Sequence, residues 1–103
     1  MNNDPLALDE TENALADQAR RQKSEAKEQE VDWRWQMKTR QGRRIIYRLL
    51  ASAGVWRSSF DSDALRMAFN EGRRHEGLGV LHLLMQHCPD HYDLMIKEQL
   101  ANG

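Results

Sequence analysis

Residues 32–44 read Asp32-Trp33-Arg34-Trp35-Gln36-Met37-Lys38-Thr39-Arg40-Gln41-Gly42-Arg43-Arg44. Two of the three tryptophans stand here two positions apart, among five of the fifteen basic residues. Directly downstream, Ile45, Ile46, Leu49, Leu50 and Ala53 follow the i, i+1, i+4, i+5, i+8 spacing of a buried helical face. Upstream, no aromatic residue occurs at all. The stretch marks where a folded domain begins, and divides the chain into a polar, acidic arm over 1–30 and a domain over 31–103. Asp32 predicts the cap of a short helix, because its carboxylate suits the first amides and the positive end of the helix dipole. Thr39 predicts the cap of the next helix, and Gly54 stands where a left-handed residue ends it.

Beyond Gly54, the link Val55-Trp56-Arg57-Ser58-Ser59-Phe60 is apolar at both ends, and Trp56 and Phe60 are expected to plug the core. Asp61 or Ser62 predicts the cap of a helix carrying Leu65, Ala68, Phe69 and Gly72, continued by Leu78, Leu81, Leu84 and Met85. Close helix approach accounts for Gly72, and a bend for Gly77 and Gly79. Pro89 suits the first turn of a last helix whose apolar face is Tyr92, Met95, Ile96 and Leu100. Upstream of Asp32, residues 8–30 are good helix formers, with a thin apolar stripe at Leu8, Leu15 and Ala19. No segment alternates with the two-residue period of a strand. The expected fold is all-α: a compact bundle of about four helices preceded by a long polar, acidic, partly helical N-terminal arm. That arm is either a solvated tail or a segment that orders on a partner or a sister subunit.

The formal net charge of −1 conceals an asymmetry. Residues 1–31 carry eight acids against four bases, residues 32–60 carry seven bases against Asp32 alone, and residues 61–103 carry seven acids against four bases. An acidic arm thus precedes a basic block. The single cysteine, Cys88, excludes an internal disulfide framework and fits a reducing compartment. No apolar run approaches the ~20 residues of a membrane span. The N-terminus shows no basic region followed by an apolar stretch, so no secretory signal and no membrane association are expected, and synthesis belongs in a cytoplasm. A domain of this size buries little, which makes oligomerisation or a partner a natural source of further stability.

Trp33, Arg34, Trp35, Lys38, Arg40, Arg43 and Arg44 are the candidate partner-binding residues. The indoles either anchor the core, with the arginine stems lying over them, or face a protein partner. A third reading lets the basic residues, with Arg48, neutralise phosphates while the indoles stack on bases. A helix-turn-helix around Gly54 would put Asp61 and Asp63 where a recognition helix meets the groove, which argues against major-groove readout. Glu71, Arg73 and Arg74 lie within one helical turn and predict a structural ion pair, with Arg43 or Arg44 of the neighbouring helix as further partners for Glu71. His87, Cys88 and His91, with His82 or His75, invite a zinc site, but the paired short spacings of a structural site are missing, and no metal is expected. Gly77 and Gly79 lack the lysine of a phosphate-binding loop, and Ser58 and Ser59 have no identifiable base. Neither an enzyme, a cofactor nor a small-molecule substrate is expected.

Asp32-Trp33-Arg34-Trp35, Gly42-Arg43-Arg44, Ser59-Phe60, Met67-Ala68-Phe69-Asn70-Glu71-Gly72-Arg73-Arg74 and Pro89-Asp90-His91-Tyr92 with Leu94-Met95 occur in this order. Over about residues 31–98 the chain resembles a small family of tailed-bacteriophage proteins first grouped around a protein of a Bordetella short-tailed phage. The resemblance implies an origin in a phage head or DNA-packaging gene cluster and supplies no catalytic residue. The expectation that follows is a non-enzymatic virion structural or assembly protein. Its partners would be portal, tail or capsid components and further copies of itself; a DNA-binding accessory of genome packaging is the alternative.

Overall fold

The computed structural model describes residues 5–102, with side chains from residue 9 onward. Residues 1–4 of the arm and the side chain of Leu8 lie outside the described residues. The described residues form four helices: α1, Pro5–Met37; α2, Arg40–Ala53; α3, Ala64–His87; and α4, Pro89–Asn102. The described residues contain no strand, so the fold is all-α. Two units divide it, one up to Val31 and one from Asp32.

In the first unit α1 is continuous, and every side chain from Asp9 to Val31 is exposed. Helix propensity carries it: between Pro5 and Gly42 the sequence contains neither glycine nor proline, and Ala, Gln, Glu, Lys and Arg dominate. An Arg20–Asp17 ion pair one turn apart lies on its surface and contributes at most a few tenths of a kcal/mol. The same lack of a breaker overturns the expected start at Asp32. That residue lies inside α1 rather than capping a separate helix, because nothing upstream stops the helix before Met37.

In the second unit Met37, Ile46, Leu50, Val55, Leu84, Cys88 and Met95 form the buried core, with Trp33, Tyr47, Leu78, Val80, Tyr92 and Ile96 packed around it. Thr39 caps α2 as expected, accepting a hydrogen bond from the Gly42 amide at 3.0 Å. Gly54 ends the helix with φ 82°, a left-handed conformation costly for any residue with a Cβ, and its amide donates to Leu50 and Ala51 carbonyls. The cap of α3 is Asp63, not Asp61 or Ser62: its carboxylate accepts from the amides of Leu65 and Arg66 at 2.9 and 3.1 Å. Asp61 instead accepts from the Asp63 amide at 2.8 Å and sets the turn leading into that cap. Pro89 opens α4 as expected.

Only the C-terminal half of α3 packs into the core. Leu65, Ala68, Phe69 and Gly72 on its N-terminal half are exposed, and Phe60 is exposed too, against the expectation that they fill the core. Trp56 is likewise not a plug. It lies at the surface, stacked on Tyr47 with ring centroids 5.2 Å apart, and its indole N–H points to the Tyr92 hydroxyl at 3.4 Å.

The close approach expected at Gly72 falls at Gly77 instead, and no bend interrupts α3 at Gly77 or Gly79. A Cβ on Gly77 would lie 2.6 Å from Val55 Cγ1 and 2.7 Å from the Ala53 Cβ, whereas a Cβ on Gly72 would meet nothing within 4 Å. Gly77 is where α3 closes on the end of α2, and α3 runs through it without interruption. Gly77→Ala is therefore expected to destabilise the protein by about 1–3 kcal/mol through overpacking. Gly72→Ala is expected to stabilise it by about 0.5–1 kcal/mol through helix propensity. Urea denaturation of the two variants checks both signs, and an equal effect at the two positions would contradict this packing.

Candidate partner-binding surface

Met37 ends α1, so its carbonyl has no partner within that helix. Arg43, one turn into α2, supplies the partner: its Nη1 donates to the Met37 carbonyl at 2.9 Å. The Nε of the same guanidinium donates to the Glu98 carboxylate of α4, and both side chains are nearly buried. From the open side, Arg40 Nε reaches the other Glu98 oxygen at 3.2 Å. Gln36 Nε2 adds a hydrogen bond to the Gly42 carbonyl at 3.3 Å. The close junction between α1 and α2 depends on glycine, since a Cβ on Gly42 would overlap the Gln36 carbonyl oxygen.

Three basic residues of the expected binding set are thus engaged within the unit. Arg40 and Arg43 hold Glu98, and Arg34 donates to Asp90 at 3.5 Å at the start of α4. Burial pushes the Asp90 carboxyl up. Hydrogen bonds from the Asp90 and His91 amides, together with the charges of His91 and Arg34, outweigh it and hold the carboxyl below its usual range. With a folded value below the unfolded one, the contribution is present above the ordinary carboxylate range and fades as pH falls through the lower folded value. Lys38, Arg44 and Arg48 form no ion pair among the described residues.

The paired tryptophans separate by role. Trp33 is half-buried and packs on the core, whereas Trp35 is 68% exposed, as two positions along a helix turn a side chain to the opposite side. Trp33 and Ile46 together line two adjoining grooves. One continues to Trp35 and Gln36, the other to Leu49, Ala53 and Val80. Ile45 and Leu49, expected in the core, are 51% and 61% exposed, so the apolar face of α2 is wider than the part its neighbours cover. A third groove, of about 550 Å³, is lined by Tyr47, Trp56, Tyr92, Ile96, Lys97 and Leu100, among others.

No ion pair joins Glu71 to Arg73, Arg74, Arg43 or Arg44 among the described residues. Arg73 instead donates to the Ser52 carbonyl and hydroxyl at 2.7 and 2.8 Å and lies over the Phe69 ring. The buried pair that does form, Arg43 with Glu98, spans 55 positions. Its acid carries no local signal beyond its place on α4, among Met95, Ile96 and Leu100. The segment between α2 and α3 runs from Gly54 to Asp63, too long for the tight turn of a helix-turn-helix, which is about 3–4 residues. The described residues bring together no group of three or more His, Cys, Asp or Glu side chains that could hold a metal ion. Cys88 is buried in the core, and that burial raises its thiol above the usual range, which keeps it protonated and inert. No described helix is long and apolar enough to cross a membrane.

This helical scaffold, with its Trp33–Arg34–Trp35 junction and α3–α4 core, is one that bacteriophages encode. The family model for Bbp19-like phage proteins matches residues 33–97, well over half of the 103-residue chain, and the chain belongs to that family. No curated protein and no solved structure matches it.

Glu98→Gln removes the charge facing a buried guanidinium. It is expected to destabilise the unit by about 3 kcal/mol, the lower part of the range for breaking a buried pair. On a unit of this size that lowers Tm by roughly 12 °C or more. Arg43→Met combined with Glu98→Leu is expected to recover a large part of the loss, since no unpaired charge remains inside. Thermal denaturation of the three proteins decides it, and a Glu98→Gln variant melting with the wild type would remove Glu98 from this role.

Proposed function

We propose that this protein is a non-enzymatic structural or assembly component of the phage particle. It acts through contact with other phage proteins at the head, at the portal–tail junction or among internal ejected proteins, and associates with further copies of itself. One observation carries the reading. In the unit from Asp32 onward seven apolar side chains are buried, while eleven large ones, from Trp35 to Leu100, stay exposed. Monomeric proteins rarely leave contiguous apolar patches beyond a few hundred Å² open to water. The Trp33–Ile46 grooves, rimmed by Trp35 and Leu49, offer aromatic and aliphatic anchors of the kind that dominate protein interfaces. Repetition around a symmetric vertex would let each copy bury these faces against the next. The acidic arm would reach a basic surface on a neighbour.

A DNA-binding accessory of genome packaging is less well supported. Arg34, Arg40 and Arg43 are already paired with carboxylates. Asp63 also sets a negative charge at the start of α3, where a recognition helix would meet phosphates.

Quantitative mass spectrometry of purified infectious particles is expected to find the chain at a fixed copy number per portal; absence from both mature particles and empty precursors would sink the proposal. Trp35→Ser with Leu49→Ser touches only exposed positions. Stability is expected to stay within about 0.5 kcal/mol of the wild type. Losing anchors worth about 2 kcal/mol should weaken docking about 30-fold. Undiminished incorporation of the double variant into particles would show that this face does not dock.

A further inference from the structure

A small cavity of about 80 Å³ lies where the end of α2, the following loop and the middle of α3 meet. Arg57, Arg73 and Arg74 all line it, with Ser52, Ser58 and Asn70, and no aspartate or glutamate takes part in the lining. It shares only Ala53 with the tryptophan grooves.

The surrounding contacts hold this arrangement in place. Arg73 is fixed by its two hydrogen bonds to Ser52, where it also satisfies a carbonyl of the last turn of α2. Asn70 Nδ2 donates to the Ser59 carbonyl at 3.4 Å and ties the loop to α3. The Ser58 hydroxyl accepts from the Phe60 amide at 3.1 Å, which leaves its proton free to donate. Left-handed Gly54 turns the chain so that Arg57 passes back over it, with Arg57 Nε 3.2 Å from where a Cβ would stand. Arg74 Nε is shut off from solvent and has no acceptor. The described residues give Arg57 and Arg74 no ion-pair partner. Three arginines therefore line one polar cavity that no carboxylate lines, beside the partial negative charge at the end of α2. Like charges gather this way at little gain unless an anion joins them.

We propose that this cavity binds a single phosphate group. Guanidinium forks match the oxygens of a tetrahedral oxyanion in paired, charge-assisted hydrogen bonds. Arg57 and Ser58 come from the loop and Arg73 and Arg74 from α3, and donors on two sides suit an anion with several oxygens better than a two-oxygen carboxylate. The cavity has room for about two or three waters at ~30 Å³ each, on the scale of one phosphate group. Any larger molecule carrying the phosphate would leave its remainder outside. The site is independent of the docking surface proposed above.

The test is a titration of inorganic phosphate into the full chain at constant ionic strength set with chloride, followed by amide NMR shifts and by Tm. Saturable one-site shifts at residues 52–59 and 70–74, with a rise in Tm, are expected. Arg57→Gln and Arg74→Gln should each weaken binding about tenfold or more. Arg57 is exposed, so Arg57→Gln should fold even if Arg74→Gln does not. Shifts that never saturate, or that persist unchanged in Arg57→Gln, would overturn the proposal. A short DNA duplex added as competitor distinguishes the sources: displacement of phosphate assigns the site to a nucleic-acid backbone, and saturable phosphate binding without displacement assigns it to a free or small-molecule phosphate.

Discussion

A buried guanidinium must find both an anion and acceptors, and in this protein Arg43 does so across three helices. Its Nη1 takes up the carbonyl that the end of α1 leaves open, and its Nε takes the Glu98 carboxylate of α4. At the same junction Gly42 closes on the Gln36 carbonyl, and Gln36 Nε2 donates to the Gly42 carbonyl. Such a pair returns little net stability compared with apolar packing, but it tolerates few alternative arrangements. In a core of seven buried side chains, a contact of that kind contributes register that a few leucines and methionines cannot specify.

The apolar residues have a different distribution. Helical periodicity runs through α2, α3 and α4, yet only part of each apolar face is covered. Ile46 and Leu50 are buried while Ile45 and Leu49 are not, and the N-terminal half of α3 keeps Leu65 and Phe69 in water. A unit of this length has too few elements to bury every face it presents. Surface left open in this way supports the proposal that further contacts come from neighbours.

Basic charge is divided in a similar way. The arginines nearest the α1–α2 junction are spent inside the unit on Glu98 and Asp90. Those around the end of α2 and the middle of α3 face no carboxylate in the cavity they line. The first group fixes architecture; the second is left with charge to offer a ligand. Counting basic residues along the chain puts the weight on residues 32–60, but Arg34, Arg40 and Arg43 among them are paired within the unit, while Lys38, Arg44, Arg48 and Arg57, with Arg73 and Arg74 of α3, form no ion pair among the described residues.

Local chemistry was legible from the sequence alone. Thr39, Gly54 and Pro89 mark helix boundaries because capping, left-handed geometry and a fixed φ act within a few residues. The period of the apolar positions is enough for an all-α reading, and the ordered motifs around the tryptophans and Asn70-Glu71-Gly72-Arg73 point to the phage family. Only the tertiary structure decided which of these residues meet. It half-buried Trp33 and exposed Trp35, put the close helix approach at Gly77 rather than Gly72, and paired Arg43 with Glu98 instead of Glu71 with its arginine neighbours. Periodicity specifies a face but not what covers it, and a charge within reach along the chain competes with one brought near by packing. Both outcomes depend on how helices far apart in sequence come together in space.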